Sequence, residues 1–245
     1  MDHPALNQFS SRVRWMPFFV APAFIVLVML GIWQLDRLSS KLELLSEIHT
    51  RLSLPPVTLD ECVNVDGSTT DLCHHRKVVA TGELLSGNIL SLLAKTYKKR
   101  AGAHILVPLM VEKEVFVLVN LGWVPQDYSL SDFSNYGTAT ISGVVRIPIK
   151  QGWFTPDNDP MENEWYWIDL TEMSTAIGVE LLPIIIEAQI GPDPYALPIG
   201  GQTRVEFPND HMQYAITWFG LALVLLIGFS LYFRQYLKTR RGQVP

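Results

Sequence analysis

The sequence predicts a membrane protein in which two transmembrane α-helices flank one β-rich α+β exported domain. Two uncharged apolar segments, residues 16–34 and 214–233, contain 19 and 20 residues. About 20 apolar residues in a helix cross the hydrocarbon core of a bilayer. Hydrophobic residues make up 48% of the 245-residue chain, charged residues only 18%, and the mean hydropathy is +0.18. This composition is typical of a membrane protein with a substantial part outside the bilayer.

Basic residues flank both apolar segments and predict the orientation. Arg12 and Arg14 precede the first segment, and four Lys or Arg residues follow the second. Flanks rich in Lys and Arg stay in the cytoplasm. The expected order is a cytoplasmic N-terminus (1–15), a transmembrane helix (16–35), a periplasmic domain (36–213), a second transmembrane helix (214–233) and a basic cytoplasmic tail (234–245). Without an Arg- and Ser-rich transit segment, a bacterial inner membrane is favoured over a mitochondrial precursor.

The predicted exported domain begins with an amphipathic helix and continues as strands. Leucine and isoleucine recur every three or four residues from 35 to 52, and Pro55 and Pro56 end the pattern. Short runs rich in Val, Leu and Ile then predict strands at "KVVATGEL", "GNILSLLA", "HILVPLMV", "EVFVLVNLGWVP", "TATISGVVRIP" and "PIIIEAQI". A single short helix is predicted in "DLTEMSTAIG", capped by Asp169 and terminated by Gly178.

The charge distribution and the absence of known catalytic motifs restrict the classes of function expected for this chain. The chain carries a net charge of −5, and residues 36–213 hold 13 basic and 23 acidic residues, a net −10. This distribution excludes a basic nucleic-acid footprint. The sequence contains no nucleophile elbow, Walker loop, dinucleotide fingerprint, zinc-protease motif or C-x-x-C pair. We therefore expect no enzymatic activity.

Two cysteines and two histidines near residue 70 leave three interpretations open. Cys62 lies eleven residues before Cys73, which is followed by His74 and His75. The cysteines form a disulfide, as an oxidising compartment favours, or they are unpaired thiols, or the four residues bind copper. Nearby, "YKKRAGAH", residues 97–104, predicts a basic patch on a hairpin tip.

His211 lies three residues before the second apolar segment. On a helix it shares one face with Tyr214, Ala215 and Trp218, at offsets of 3, 4 and 7. A histidine, a small residue and two flat aromatic side chains suit a planar apolar cofactor. The alternative is a histidine that anchors the helix at the membrane interface.

Several stretches resemble the Surfeit locus protein 1 family, which comprises cytochrome c oxidase assembly factors. "GGQTRVEFPNDHMQYAITWFGLA", residues 200–222, is similar to the family's C-terminal motif, and "GIWQLDRLSSK", residues 31–41, to the motif at the exit of its first span. "VATGEL", "VFVLVNLGWVP", "SGVVRIP", "GWFTPDNDPMENEWYWIDL" and "PIIIEA" follow the family's order. The resemblance covers nearly all of residues 16–236.

The resemblance implies an assembly role in which haem a is inserted into subunit I of a haem-copper oxidase. Its implied cofactor is haem a, with His211 as the ligand of the haem iron. We expect Tyr214 and Trp218 to form walls and Arg204 to pair with a propionate. Expected partners are oxidase subunit I, haem a synthase and the lipid bilayer. The alternatives are a haem-independent scaffold that stabilises subunit I, and an exported copper carrier that uses Cys62, Cys73, His74 and His75.

Overall fold

A computed structural model describes residues 4–63, 73–112, 114–129, 137–191, 193, 195–202 and 209–241, with side chains from residue 15 to residue 239 within these ranges. The chain divides into a helical unit, Met1–Ser46 with Glu206–Pro245, and a β-rich unit, Glu47–Val205. The predicted fold class is confirmed, because two long apolar helices precede and follow a β-rich domain along the chain.

Two long helices supply the membrane-spanning segments. Helix α1 is Pro4–Ser53 and helix α3 is His211–Arg241, and both are long and apolar enough to cross a membrane. Large apolar side chains along both are exposed, as expected for surfaces that face lipid. The first predicted span and the amphipathic helix after it are one continuous helix, which ends two residues before Pro55. Helix α3 starts three residues before the uncharged segment, at His211 itself.

Gly31 provides a close contact between α1 and α3 within the helical unit. A Cβ atom placed on Gly31 would lie 2.6 Å from the ring of Phe219, which is closer than real Cβ atoms approach. Gly31 is buried, and so is Ala222 on α3. Small residues at such positions let the backbones of membrane helices approach closely. The two predicted spans therefore pack against each other through small residues.

The β-rich unit contains eight strands in its described part. They are β1 (Val57–Thr58), β2 (Lys77–Leu84), β3 (Leu90–Tyr97), β4 (Arg100–Glu112), β5 (Val115–Pro125), β6 (Thr138–Arg146), β7 (Glu164–Trp165) and β8 (Leu181–Ala188). All six predicted strands are confirmed. Strand β3 lies three residues further along than predicted, because Asn88 belongs to a turn and a bulge at Ala94 carries the strand on to Tyr97.

Five of these strands close into a barrel. The strand order is β1-β2-β6-β8-β5-β4-β3-β7, and an additional antiparallel pairing joins β2 to β4. That pairing, Glu83 with Met110 and Leu84 with Leu109, completes a ring of β2, β6, β8, β5 and β4. Closure removes the exposed edges that an open sheet of these strands would present.

Alternating residues divide the apolar side chains between two cores. Ile105, Val107 and Val117 belong to one cluster, which draws on the strands of the barrel. Leu106 and Leu118, which point to the other face, pack with Trp165 and Met173 in a second cluster. Successive side chains of a strand face opposite sides, so one strand serves both clusters.

Helix α2 (Leu170–Ile177) is the predicted short helix and covers the second cluster with Met173. The carboxylate of Asp169 accepts hydrogen bonds from the backbone amides of Thr171 and Glu172, which otherwise lack partners in the helix. Gly178 ends the helix in the left-handed conformation, with a φ angle of 73°. Both predicted caps are confirmed.

The predicted basic patch, residues 97–104, falls on the hairpin between β3 and β4. Lys98 and Lys99 form its tip, and both have positive φ angles of 46° and 66°. The side chains of the two lysines and of Arg100 are exposed. The hairpin prediction is therefore confirmed.

Candidate functional site

His211 is the first residue of α3, and its side chain is bonded to α1. Its Nδ1 atom lies 2.8 Å from Oε1 of Gln34. Gln34 lies in the predicted first span and is only 9% exposed. Outside the first and last turns, a helix leaves no backbone group free to satisfy a buried side-chain amide. The hydrogen bond to His211 therefore satisfies the amide oxygen of Gln34.

The partner of His211 determines which ring nitrogen carries the proton. A glutamine Oε1 atom accepts hydrogen bonds, so the neutral imidazole of His211 donates its Nδ1–H. Nε2 is then the unprotonated nitrogen with a lone pair. This arrangement, in which one ring nitrogen is oriented by a protein acceptor and the other is available, is typical of metal-ligating histidines.

The predicted face of α3 is the face that packs in the helix pair. Ala215 is 1% exposed and Ala222 is 3% exposed, eleven residues after His211. We predicted that Ala215 would leave room for a planar cofactor. In the structure Ala215 is itself buried, and small side chains at such positions allow close packing between helices. Of the predicted site residues on this face, Tyr214 and part of Trp218 remain accessible.

Tyr214 and Trp218 lie on α3 with His211, but they differ in exposure. Tyr214 is 55% exposed, and Trp218 is half-buried. The backbone amide of Tyr214 donates to the carbonyl of Asp210, which fixes the first turn of α3 around His211. Tyr214 therefore offers an aromatic surface beside His211, while Trp218 offers part of its ring. The predicted fourth member, Arg204, lies outside the described residues.

Sequence reasoning missed two polar side chains of this site. Gln34 is one, although its position is a signal, since Gly31 and Gln34 are three residues apart and therefore share a helix face. Asn209 is the other. Its Oδ1 atom is buried, and among the described residues it has no hydrogen-bond partner. A buried acceptor without a partner costs free energy, so the start of α3 is a polar site with an unmet requirement for a donor.

Cys62 and Cys73 form a disulfide in the β-rich unit, with 5.5 Å between their Cα atoms. Of the three interpretations left open by the sequence, the disulfide is confirmed. Oxidised sulfurs provide no thiolate, which is the form that binds soft metals. No group of three or more His, Cys, Asp or Glu residues capable of holding a metal ion occurs in the part of the chain that the structure describes.

The two adjacent histidines are engaged in the β-rich unit. Nδ1 of His74 accepts a hydrogen bond of 3.0 Å from the backbone amide of Ile147, and Nε2 of His75 is bonded to Nη1 of Arg146. Burial, followed by the charges of His74, Arg146 and Arg51, lowers the pKa of His75 to about 4. His75 is therefore neutral at physiological pH. The copper site predicted as an alternative is wrong, since its sulfurs are bridged and its histidines bond to protein groups.

A groove on the β-rich unit was not predicted from the sequence. It has a volume of about 910 Å³ and runs between residues 147–151 and α2. Trp167 forms part of its wall, and the buried Nε1 of this tryptophan has no hydrogen-bond partner among the described residues. The groove is mostly apolar, and no histidine lines it.

The comparisons with known proteins agree with the sequence motifs. The model of the SURF1 family matches residues 21–223, which include Gln34, the whole described β-rich unit and His211. The chain is similar to Surfeit locus protein 1 of Xenopus tropicalis, with 32% identity over 212 residues, 78% of this chain and 67% of the relative.

Two further relatives are similar to this chain over a comparable share of its length. A SURF1-like protein of Monosiga brevicollis is 30% identical over 80% of this chain and 79% of its own. Surfeit locus protein 1 of Homo sapiens is 29% identical over 87% of this chain and 75% of its own. These relatives are therefore similar to about four fifths or more of the chain, and the family model covers residues from within α1 to within α3.

Proposed function

The chain belongs to the SURF1 family, and on that premise we propose that it is an assembly factor for a haem-copper terminal oxidase of the cytochrome c oxidase type. In this proposal it binds haem a through His211 and assists insertion of haem a into oxidase subunit I. Subunit I and haem a synthase are its proposed protein partners. The role is binding and transfer without turnover.

The bond between Gln34 and His211 is the observation that carries the haem-binding proposal. It supports an imidazole with Nδ1 protonated and Nε2 available, at the end of an apolar helix. A neutral imidazole nitrogen is a common axial ligand of haem iron. A hydrogen bond donated by the second ring N–H to an outer acceptor raises the basicity of the ligating nitrogen and fixes the ring orientation. Gln34 would act in this way, as a positioning residue.

The surroundings of His211 fit a flat apolar group on one side only. Ala215, on the same face as His211, is buried. The accessible flank is the exposed ring of Tyr214, with part of Trp218. Aromatic surfaces at the bilayer interface suit an amphipathic ligand. His211 Nε2 would be the ligand of the haem iron, with Gln34 holding its orientation and Tyr214 offering an apolar surface; haem a, when bound, would supply the metal.

We also propose the orientation predicted from the basic flanks. Both termini would lie in the cytoplasm of a bacterium and the β-rich unit in the periplasm. This orientation is supported by the distribution of Lys and Arg around the two spans. The disulfide supports it independently, because disulfides persist in the periplasm and are rare in the cytosol.

The decisive experiment is a visible spectrum of protein purified from cells that make haem a. We expect a Soret band in the wild type and its loss or shift in His211→Ala. The matched control is His49→Ala, which removes an exposed histidine of α1. If His211→Ala, present at normal level, retains the wild-type spectrum and haem content, His211 is an interfacial anchor and the haem proposal fails.

A haem-independent scaffold for subunit I is the second candidate function. The burial of Ala215 favours it, because the face expected to receive a cofactor is already packed against protein. Wild-type protein that has no haem and still associates with subunit I would select this candidate. In both cases, deletion of the gene should lower oxidase activity while subunit transcripts persist.

A further inference from the structure

Two aromatic side chains of the β-rich unit project fully into solvent. Trp153 is 100% exposed and Phe154 is 99% exposed, and Ile149 and Met161 nearby in the chain are also largely exposed. Tryptophan and phenylalanine each bury roughly 150–250 Å² when covered. Such a concentration of exposed apolar surface on a water-soluble domain marks an interaction site.

The two aromatic residues are held in place by a hydrogen-bonded turn. The amide of Thr155 donates to the carbonyl of Gly152 at 3.0 Å, so Trp153 and Phe154 are the central residues of a β-turn. The side-chain amide of Gln151 donates to the carbonyl of Thr155 at 3.1 Å and to Asp157 Oδ1 at 2.9 Å. These bonds brace the base of the turn. The aromatic pair is thus presented before binding, which lowers the entropic cost of binding.

Acidic residues surround the aromatic turn in the chain. Residues 147–169 contain five carboxylates and one lysine, a net charge of −4. Asp157 bonds to Gln151 at the base of the turn, and the side-chain amide of Asn158 donates to Glu172 of α2. Glu162 is exposed. The apolar tip is therefore followed in the chain by the exposed carboxylates of Asp157, Asp159 and Glu162. Lys95, Arg146 and Lys150 lie around the cavity that Gly152 and Thr155 line at the base of the turn.

The exposed aromatic pair and the carboxylates near it together favour one kind of binding partner. Anionic lipid headgroups attract basic segments and repel the exposed carboxylates of Asp157, Asp159 and Glu162. A second copy of the chain in a symmetric contact would bring two such surfaces together, which like charges oppose. A protein surface with an apolar pocket and a rim of Lys and Arg satisfies both the aromatic pair and the carboxylates.

We propose that the Trp153–Phe154 turn is the docking element of the β-rich unit for a protein partner with a basic-rimmed apolar pocket. The identity of this partner rests on the proposed function, and it is the oxidase subunit I that the protein assists. The turn acts as a plug that enters the pocket, and the acidic residues around it set the orientation. This role is separate from haem binding at His211.

The test is site-specific cross-linking of the full chain in cells that assemble the oxidase. A photoreactive p-benzoylphenylalanine replaces Phe154 in one variant and Lys98 in the control, since Lys98 is also exposed, at the tip of a different hairpin. We expect an adduct with subunit I from position 154 and none from position 98. An adduct only with phospholipid or with a second copy of the chain overturns the proposal.

A quantitative test uses the double variant Trp153→Ser, Phe154→Ser. Its association with subunit I should fall at least about tenfold, as for the loss of an interface hot spot. Glu162→Lys should weaken association several-fold, with an effect that diminishes at high salt. A cooperative urea-unfolding transition with the wild-type midpoint verifies that each variant is folded.

The outcomes separate this inference from the function on which it rests. If wild-type protein does not associate with subunit I, the proposed function fails and the docking proposal fails with it. If the wild type and the double variant associate equally well, the proposed function survives and the docking proposal is overturned. If only the double variant loses association while its haem spectrum is unchanged, both proposals are supported.

Discussion

The Nδ1 atom of His211 lies 2.8 Å from Oε1 of Gln34, a residue 177 positions earlier in the chain. This bond connects the two helices that are long and apolar enough to span a membrane. In an apolar environment, neither polar side chain has water to replace its partner. The bond therefore stabilises the helix pair and at the same time selects the ring nitrogen of His211 that carries the hydrogen.

Replacing Gln34 tests the positioning role. In Gln34→Leu the protein should insert normally, but His211 loses the acceptor that selects its tautomer. We expect haem affinity to fall about 10- to 100-fold, the usual effect of removing such an outer partner, measured by haem titration of the purified protein. Gln213→Leu, which alters an exposed glutamine of α3, is the control. Equal affinity in the Gln34→Leu variant and the wild type would contradict the positioning role.

Enlarging Gly31 should loosen the helix pair. A valine at this position would force its side chain against the ring of Phe219, at a cost of about 1–3 kcal/mol. We expect the midpoint of thermal aggregation in detergent to fall by several degrees in Gly31→Val and to recover when Phe219→Ala is added. Gly220→Val is the control, because a Cβ atom at position 220 would meet no neighbouring side chain within 4 Å. Failure of Phe219→Ala to restore the midpoint would reject this contact.

Removing the disulfide should destabilise the β-rich unit without abolishing membrane insertion. For the loop closed between Cys62 and Cys73, the chain-entropy estimate is about 2–3 kcal/mol. We expect Cys62→Ser, Cys73→Ser protein to show a free energy of unfolding in urea lower by this amount. In the wild type, alkylation of unfolded, unreduced protein should modify neither cysteine. Modification of both would show that the bridge does not form.

Stability should fall in mild acid because of His104. The Oδ1 atom of Asn120 accepts from the amide of Gly122, so its Nδ2 atom donates to Nδ1 of His104 at 3.0 Å. Burial, and secondly the charge of Lys95, lowers the pKa of His104 to about 4. The unfolded chain, with a histidine pKa of about 6.5, takes up the proton first as pH falls, so unfolding is favoured increasingly from pH 6.5 to 4.

The measurement for His104 is urea unfolding as a function of pH. We expect a loss of about 1–2 kcal/mol between pH 6.5 and 4, after allowance for solvent screening at this partly exposed side chain. His104→Gln keeps an acceptor for Asn120 and removes the titration, so its stability should decline less over the same range. The remaining decline should come from His75, whose pKa is also lowered to about 4. An identical pH profile in wild type and His104→Gln would contradict this assignment.

The proposed topology predicts which positions a membrane-impermeant thiol reagent reaches. Lys98→Cys, at an exposed hairpin tip, should be labelled in cells with a permeabilised outer membrane and an intact inner membrane. Thr239→Cys, near the end of α3, should be labelled only after the inner membrane is opened. The reverse pattern would place the β-rich unit in the cytoplasm.

Local features of the sequence determined most of the secondary structure. The Val, Leu and Ile runs predicted six strands, and the caps Asp169 and Gly178 predicted both ends of α2. Hydropathy alone predicted the two long helices, since about 20 uncharged residues fit a bilayer. The strands β1 and β7, of two residues each, were missed because so short a segment has no periodicity to read.

The candidate functional site was predicted only in part, because local sequence patterns do not reveal long-range contacts. Helix geometry predicts which residues share a face with His211, but it does not predict what that face contacts. Spacing cannot distinguish a face that binds a cofactor from one that packs on another helix, and Ala215 proved to be buried. Gln34 was not linked to His211, because nothing in either local pattern identifies a partner 177 residues away.

Tertiary structure alone decided the long-range contacts. The pairing of β2 with β4 closes the barrel, the disulfide selects one of three interpretations of Cys62 and Cys73, and Gln34 fixes the tautomer of His211. Periodicity and capping depend on neighbours within about one turn or one strand. Barrel closure and side-chain pairing instead depend on which distant surfaces lower the free energy most when they meet, and that is decided by the whole folded chain.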